Sequence, residues 1–310
     1  MAQHFESLRL GRRSFLKVAG GCFLMHPSAS AAVHFFQASE RMTKERGLHA
    51  GKESRIKIAQ VKVVPQKGQL DSNHRLLMAV LGEIAKVPDV DVVITPEGFL
   101  DGYVSTEDKV TATDMVRYAV DLKTSSYVQA VTAWARQQHS WFVLGCTRFE
   151  NACAYNTAVI INRQGELVGT YDKLHLQQHD HKYTPGSHLN VYDSDFGLFG
   201  VMICADRRWP ETVRTLALKG ARLILNPTYG MHNDLNLAMM RTRAYESELF
   251  IAFTHPKQAL ITGPEGEVVT NDEDPKHRYV VSQVDLSAVD TRRTSSSGHL
   301  KDRRPEVYKP

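Results

Sequence analysis

From Arg55 onward, short runs rich in β-branched residues alternate with segments whose apolar residues recur at helical spacing, and this alternation constrains the fold more than any other feature. Residues 56–64 read as a strand. Leu76, Leu77, Val80, Leu81 and Ile84 then fall on one face of a helix. Residues 90–95 form a short apolar run stopped by Pro96, which predicts a buried strand. Tyr127, Val128, Val131 and Ala135 mark a second helix face, and residues 141–145 a second buried strand. Residues 157–161 predict a strand turning at Gln164-Gly165, and residues 198–203 a strand that runs directly into Cys204. Pro210 stands where a helix can begin and Gly220 where it can end. Residues 223–225 predict a strand ending at Asn226-Pro227. A helix over 237–246 precedes the apolar run 249–253, and Pro264-Glu265-Gly266 predicts a hairpin. Some strands are joined through helices and others by hairpins, so the pattern predicts an α/β domain with mixed sheet covered by helices. The 310 residues, 42% hydrophobic and 23% charged, suit a soluble globular chain with a sizeable core.

The N-terminus reads as an address. Gly11-Arg12-Arg13-Ser14-Phe15-Leu16-Lys17 resembles the twin-arginine export signal. An apolar stretch over 18–25 follows, and Ala29-Ser30-Ala31 resembles an A-x-A cleavage site. That stretch is too short to span a bilayer, and no later segment reaches roughly 18 uninterrupted apolar residues, so no stable membrane anchor is expected. The resemblance implies a signal peptide over 1–31 and a periplasmic or secreted protein. Residues 32–54 read as a linker or arm, 55–290 as the main domain and 291–310 as a polar tail. The net charge is +4, but Arg9, Arg12, Arg13 and Lys17 lie in the leader, so nothing argues for nucleic acid as a partner. Past the leader the cysteines are Cys146, Cys153 and Cys204. Two readings stand: a Cys146–Cys153 disulfide that leaves Cys204 free, or buried thiols.

Three segments end or leave strands with reactive side chains: Thr95-Pro96-Glu97-Gly98, Tyr171-Asp172-Lys173-Leu174-His175, and Cys204-Ala205-Asp206-Arg207-Arg208-Trp209-Pro210-Glu211. The third is the most pointed. A buried strand, then a cysteine, then a helix near Pro210 puts sulfur by a helix N-terminus, where backbone N–H groups favour a thiolate and can receive an oxyanion.

Together these segments are similar to the nitrilase, or carbon–nitrogen hydrolase, superfamily. Its signatures are a Pro-Glu after a strand, a Lys-x-His, and a Cys followed by an acid, an arginine and aromatic-Pro-Glu. They stand here in the same order at Glu97, Lys173 and Cys204. Tyr155-Asn156-Thr157-Ala158, Arg243-Ala244-Tyr245-Glu246 and Gly263-Pro264-Glu265-Gly266 extend the resemblance over roughly 55–290. It implies an αββα sandwich that associates as a homodimer or higher homo-oligomer. It also implies hydrolysis of a small-molecule amide or N-carbamoyl substrate without metal or organic cofactor. Cys204 is then the nucleophile, Glu97 the base, and Lys173 with the Ala205 N–H the oxyanion site. Many relatives carry a further glutamate six residues before a Pro-Gly. Here that position is His179, with Asp180 beside it, and either can take the auxiliary role. His175, His179 and His181 with Asp180 also have a metal-binding composition, but His175 belongs to the Lys-x-His motif. The Arg207-Arg208 pair followed by Trp-Pro-Glu is similar to N-carbamoyl-D-amino acid amidohydrolases, which implies that these arginines bind a substrate carboxylate. Asn226 and the following Pro227-Thr228-Tyr229 depart from that subgroup where relatives line the pocket. A catalytically silent binding protein and an acyltransferase to an amine are the competing readings.

Overall fold

Strand residues divide between two faces, and that division builds the layers. In this computed structural model residues 54–308 are described; the twin-arginine segment, its cleavage site and almost all of the 32–54 arm lie outside them. The described elements are β1 (Arg55–Val61), α1 (Leu70–Ile84), β2 (Val92–Ile94), α2 (Ser126–Gln138), β3 (Trp141–Glu150), β4 (Cys153–Ile161), β5 (Leu167–Asp172), β6 (Val191–Ser194), β7 (Gly197–Val201), α3 (Pro210–Leu218), β8 (Leu223–Pro227), α4 (Asp234–Ser247), β9 (Phe250–His255), β10 (Gln258–Thr262), β11 (Val268–Asp272), β12 (Tyr279–Asp285) and α5 (Ser287–Thr294).

They form two six-stranded sheets, ordered β12-β1-β2-β3-β4-β5 and β11-β10-β9-β8-β7-β6. Each has a parallel trio at its heart, β1-β2-β3 in one and β7-β8-β9 in the other, flanked by antiparallel pairs. Helices α1 and α2 make the crossovers of the first trio, and α3 and α4 those of the second.

The sheets pack face to face. Ile56, Ile58, Val92, Ile94 and Val143 point inward to meet Phe199, Val201, Leu223, Leu225 and Ala252. The alternate residues Ala59, Val61, Val93, Phe142 and Leu144 point outward onto Leu77, Val80 and Leu81 of α1 and Val128 and Val131 of α2. Val213 and Leu216 of α3 and Met240 and Ala244 of α4 cover the second sheet. The result is an αββα sandwich. Trp141 stitches the two sheets together, edge-on to Phe199 with centroids 5.5 Å apart. Strand periodicity cannot distinguish one mixed sheet from two stacked ones, because an inner strand is covered on both faces in either case.

Residues 291–308 have a polar composition, yet part of that stretch packs back on the domain. Arg292 is buried, and the His299 N–H donates to the buried Glu248 at 2.6 Å. All three described cysteines are free. Cys146 faces Thr157 across the β3–β4 hairpin while Cys153 faces Glu150, which is four residues further along β3. That offset is about 13 Å, about twice the reach of a disulfide.

β2, β5, β7 and β8 all deliver chain to the same end of the sandwich. Gly145 in β3 sets the loop after β2: its N–H donates to Thr95 Oγ1 at 2.8 Å, and a Cβ there would drive into the Pro96 carbonyl. Gly145→Ala is therefore expected to displace the Glu97 loop and to destabilise the protein by about 1–3 kcal/mol, measured by urea unfolding.

Candidate active site

Glu97 follows β2 and is 0% exposed. Its Oε1 accepts from Lys173 Nζ at 2.7 Å and Asn156 Nδ2 at 2.8 Å, and its Oε2 accepts from the Tyr229 N–H at 3.1 Å. Lys173 follows β5, is 1% exposed, and spends its other two donors on Asp180 Oδ2 at 2.6 Å and the Tyr103 hydroxyl at 3.2 Å. Burial works against the ammonium. The charges of Glu97, Cys204 and Asp180 more than reverse this, holding its pKa above the ordinary lysine value.

Of the two auxiliary candidates, the fold places Asp180 beside Lys173 and His179 outside it. The Asp180 carboxylate is buried and also accepts from Tyr103 Oη at 2.6 Å. His179, with 40% of its side chain exposed, lies 2.9 Å through Nε2 from the same hydroxyl. That hydroxyl has one proton and gives it to Asp180, so His179 is the donor in its own bond. Tyr103 itself is buried with a left-handed φ of 54°. Burial first, then Glu97 and Asp180, push its pKa well up, so it stays a neutral phenol.

Cys204 leaves β7 at a left-handed φ of 46° and opens a 3-10 turn, Cys204–Arg208, which precedes α3. The sulfur therefore sits at this tight turn, one turn earlier than the α-helix start that the sequence suggests. The Cys204 N–H donates to Asn226 Oδ1 at 3.0 Å, and Asp206 Oδ2 accepts the Ile203 N–H at 3.1 Å. Asp206 also receives the Tyr171 hydroxyl at 2.7 Å and the His175 backbone N–H at 2.9 Å. Its contact with His175 Nδ1 is 2.8 Å, and the imidazole lies flat on Trp209 at 4.0 Å. Ala205 is buried, and its N–H is at the start of the turn, where backbone donors lack an intrahelical partner.

The Cys204 side chain is in a charged but dry place, 7% exposed. Burial pushes its pKa up and Glu97 adds to this, while Lys173, Arg207 and the Tyr229 N–H pull it down; the net direction is up. Arg207 is buried, with Nη1 at 3.5 Å from Cys204 Sγ, whereas Arg208 is exposed and donates to Gln177 Oε1 at 2.7 Å. The fold thus separates the two arginines that the sequence pairs. Asn226 Oδ1 serves Thr228 Oγ1 at 3.1 Å as well as Cys204. His255 fixes the segment after β8. Its Nδ1 accepts the Lys257 N–H, so its Nε2 donates to the Tyr229 carbonyl at 2.9 Å. Burial, then His232, push its pKa down to about 3, so it is neutral.

His175 and His179 go to separate partners, and among the described residues no group of three His, Cys, Asp or Glu side chains is placed to hold a metal ion. No helix among them is long and apolar enough to cross a membrane.

The carbon–nitrogen hydrolase family model matches residues 56–294. The chain belongs to this family. It is 29% identical over 272 residues to a nitrilase of Pyrococcus abyssi, 82% of this chain and 99% of that one. It is 28% identical over 192 residues to the N-carbamoylputrescine amidase of Arabidopsis thaliana, 51% of this chain and 64% of that one. An amidase from Nesterenkonia sp. shares the fold at a TM-score of 0.67 and 20% identity, covering 83% of this chain and 96% of that one. A variant of that amidase carries the acetamide moiety of fluoroacetamide covalently on its active-site cysteine.

Tyr103, Asp206 and His255 are the site residues that sequence reasoning missed. Asp206 was within reach, since it lies inside the cysteine segment. Tyr103 follows Glu97 by six residues with no periodicity to mark it. Asp206 accepts from the Ile203 N–H, the Tyr171 hydroxyl and the His175 N–H together, so Asp206→Ala is expected to cost about 2–5 kcal/mol in urea unfolding, from the buried donors it strands.

Proposed function

We propose that this member of the family hydrolyses a non-peptide carbon–nitrogen bond, an amide or an N-carbamoyl group, through Cys204. What supports this reading most is one buried cluster in which Glu97 and Lys173 are in direct contact and both act electrostatically on the Cys204 sulfur. The chemistry of the relatives, two of them amidases, agrees with it.

The thiol proton passes to Glu97 as sulfur attacks the carbonyl carbon. The developing oxyanion takes the Ala205 N–H and a Lys173 N–H, the latter from the Tyr103 contact, which at 3.2 Å is the longest of the three. Glu97 returns the proton to the nitrogen as the C–N bond breaks, and ammonia or an amine leaves. Asp180 keeps the ammonium aimed throughout. Glu97 then takes a proton from water, whose oxygen attacks the thioester or carbamoyl-enzyme and releases the thiol. The acid product, or the carbamic acid, departs. Export of the folded protein on the Arg12-Arg13 signal and assembly into a homo-oligomer belong to the same proposal. Arg12→Lys with Arg13→Lys should hold the protein in the cytoplasm on fractionation, and light scattering should give a multiple of the chain mass.

The test is ammonia and amine release over N-carbamoyl amino acids, primary amides and nitriles. Turnover of an amide or carbamoyl compound is expected from the native chain and none from Cys204→Ala. Activity surviving in that variant would sink the mechanism. Hydroxamate in place of free acid, when hydroxylamine is present, would favour acyl transfer. Because the Cys204 pKa is displaced upward, the midpoint of the iodoacetamide alkylation rate against pH at Cys204 should lie above the ordinary thiol value of about 8.5.

A further inference from the structure

We propose that Arg207 is a catalytic residue that serves as counter-charge to the Cys204 thiolate, and not as the clamp for a substrate carboxylate. This rests on Cys204 being the nucleophile. The guanidinium is 1% exposed, and each of its three nitrogens has a partner. Nε donates to Asn236 Oδ1 at 2.7 Å and Nη2 to the Met231 carbonyl at 2.8 Å. Those two nitrogens form the side-on edge, one of the two edges that can grip a carboxylate with two parallel bonds, and that edge is spent on the protein. Nη1 is left to face Sγ at 3.5 Å. Phe253 lies under the group, 5.3 Å from its carbon to the ring centroid, and fixes its plane.

The charges around the sulfur explain why it needs this partner. Glu97 faces it with a carboxylate and Tyr103 with a neutral phenol; Lys173, already between Glu97 and Asp180, offers one shared positive charge. His255, behind Arg207, is neutral. Arg207 supplies the second cation, and a guanidinium does not lose its proton at any pH the protein survives.

The free enzyme tests this without substrate. Alkylation of Cys204 by iodoacetamide is followed against pH in the native chain, Arg207→Gln, Arg207→Met and Arg207→Lys. Met keeps the volume over Phe253, so whichever neutral variant folds, by circular dichroism, decides. The expected result is a midpoint raised by about one pH unit in the neutral variants, returning toward the native value in Arg207→Lys. In the companion assay, kcat/KM should fall by a similar factor for an N-carbamoyl amino acid and for its methyl ester. An unchanged midpoint, with the loss confined to KM for the free acid, would overturn the proposal in favour of a carboxylate clamp. If no compound in the panel is turned over, the alkylation profile still decides on Arg207 by itself. Failure of the hydrolase reading and failure of this one are thereby distinguishable.

Discussion

One buried ammonium organises this molecule. Lys173 sits between Glu97 and Asp180, each within 2.7 Å, in a place from which water is shut out. Burying three ionisable side chains costs several kcal/mol for each ion, and removing any one strands the others. The cluster persists only because three separate strand ends, after β2, β5 and β8, arrive at the same point with their partners attached. Asn156 and the Tyr229 N–H complete Glu97, and Tyr103 completes Asp180. Low local polarity then makes the same charges act strongly on whatever binds beside them.

The cysteine turn meets the opposite demand. Its backbone is held at a left-handed φ that a non-glycine residue adopts only when its surroundings enforce it. Asp206 is the enforcing group. It ties the residue before Cys204 to Tyr171 and to His175, and His175 is in turn pressed flat on Trp209. The Lys-x-His and Cys-x-Asp segments, some thirty residues apart in the chain, are thus two halves of one brace. Histidine in the first of them holds the turn in place; Lys173, two residues earlier, faces Glu97 and Asp180.

The same logic separates two neighbours that look equivalent in the sequence. Arg207 and Arg208 are adjacent, but on a 3-10 turn adjacent side chains point about 120° apart. One enters the site and meets the sulfur; the other lies at the surface with Gln177. His179 and Asp180 divide in the same way, the carboxylate inward and the imidazole outward.

Much was legible from the sequence alone. Strand and helix faces followed from periodicity, which local sterics and burial impose residue by residue. The order of Glu97, Lys173 and Cys204 was readable because each lies just past a recognisable strand. What the sequence could not say was how those strands are shared out. The strands form two stacked sheets, and an inner strand reads the same whichever layer covers it. Nor could it say which of two adjacent polar residues faces inward, since that depends on the turn's rotation and on partners such as Tyr103, seventy residues from Lys173 in the chain. Local pattern determined the elements and their sequence of reactive ends. Only tertiary packing decided that these ends converge in one buried cluster, because desolvation and charge pairing belong to groups that meet in space.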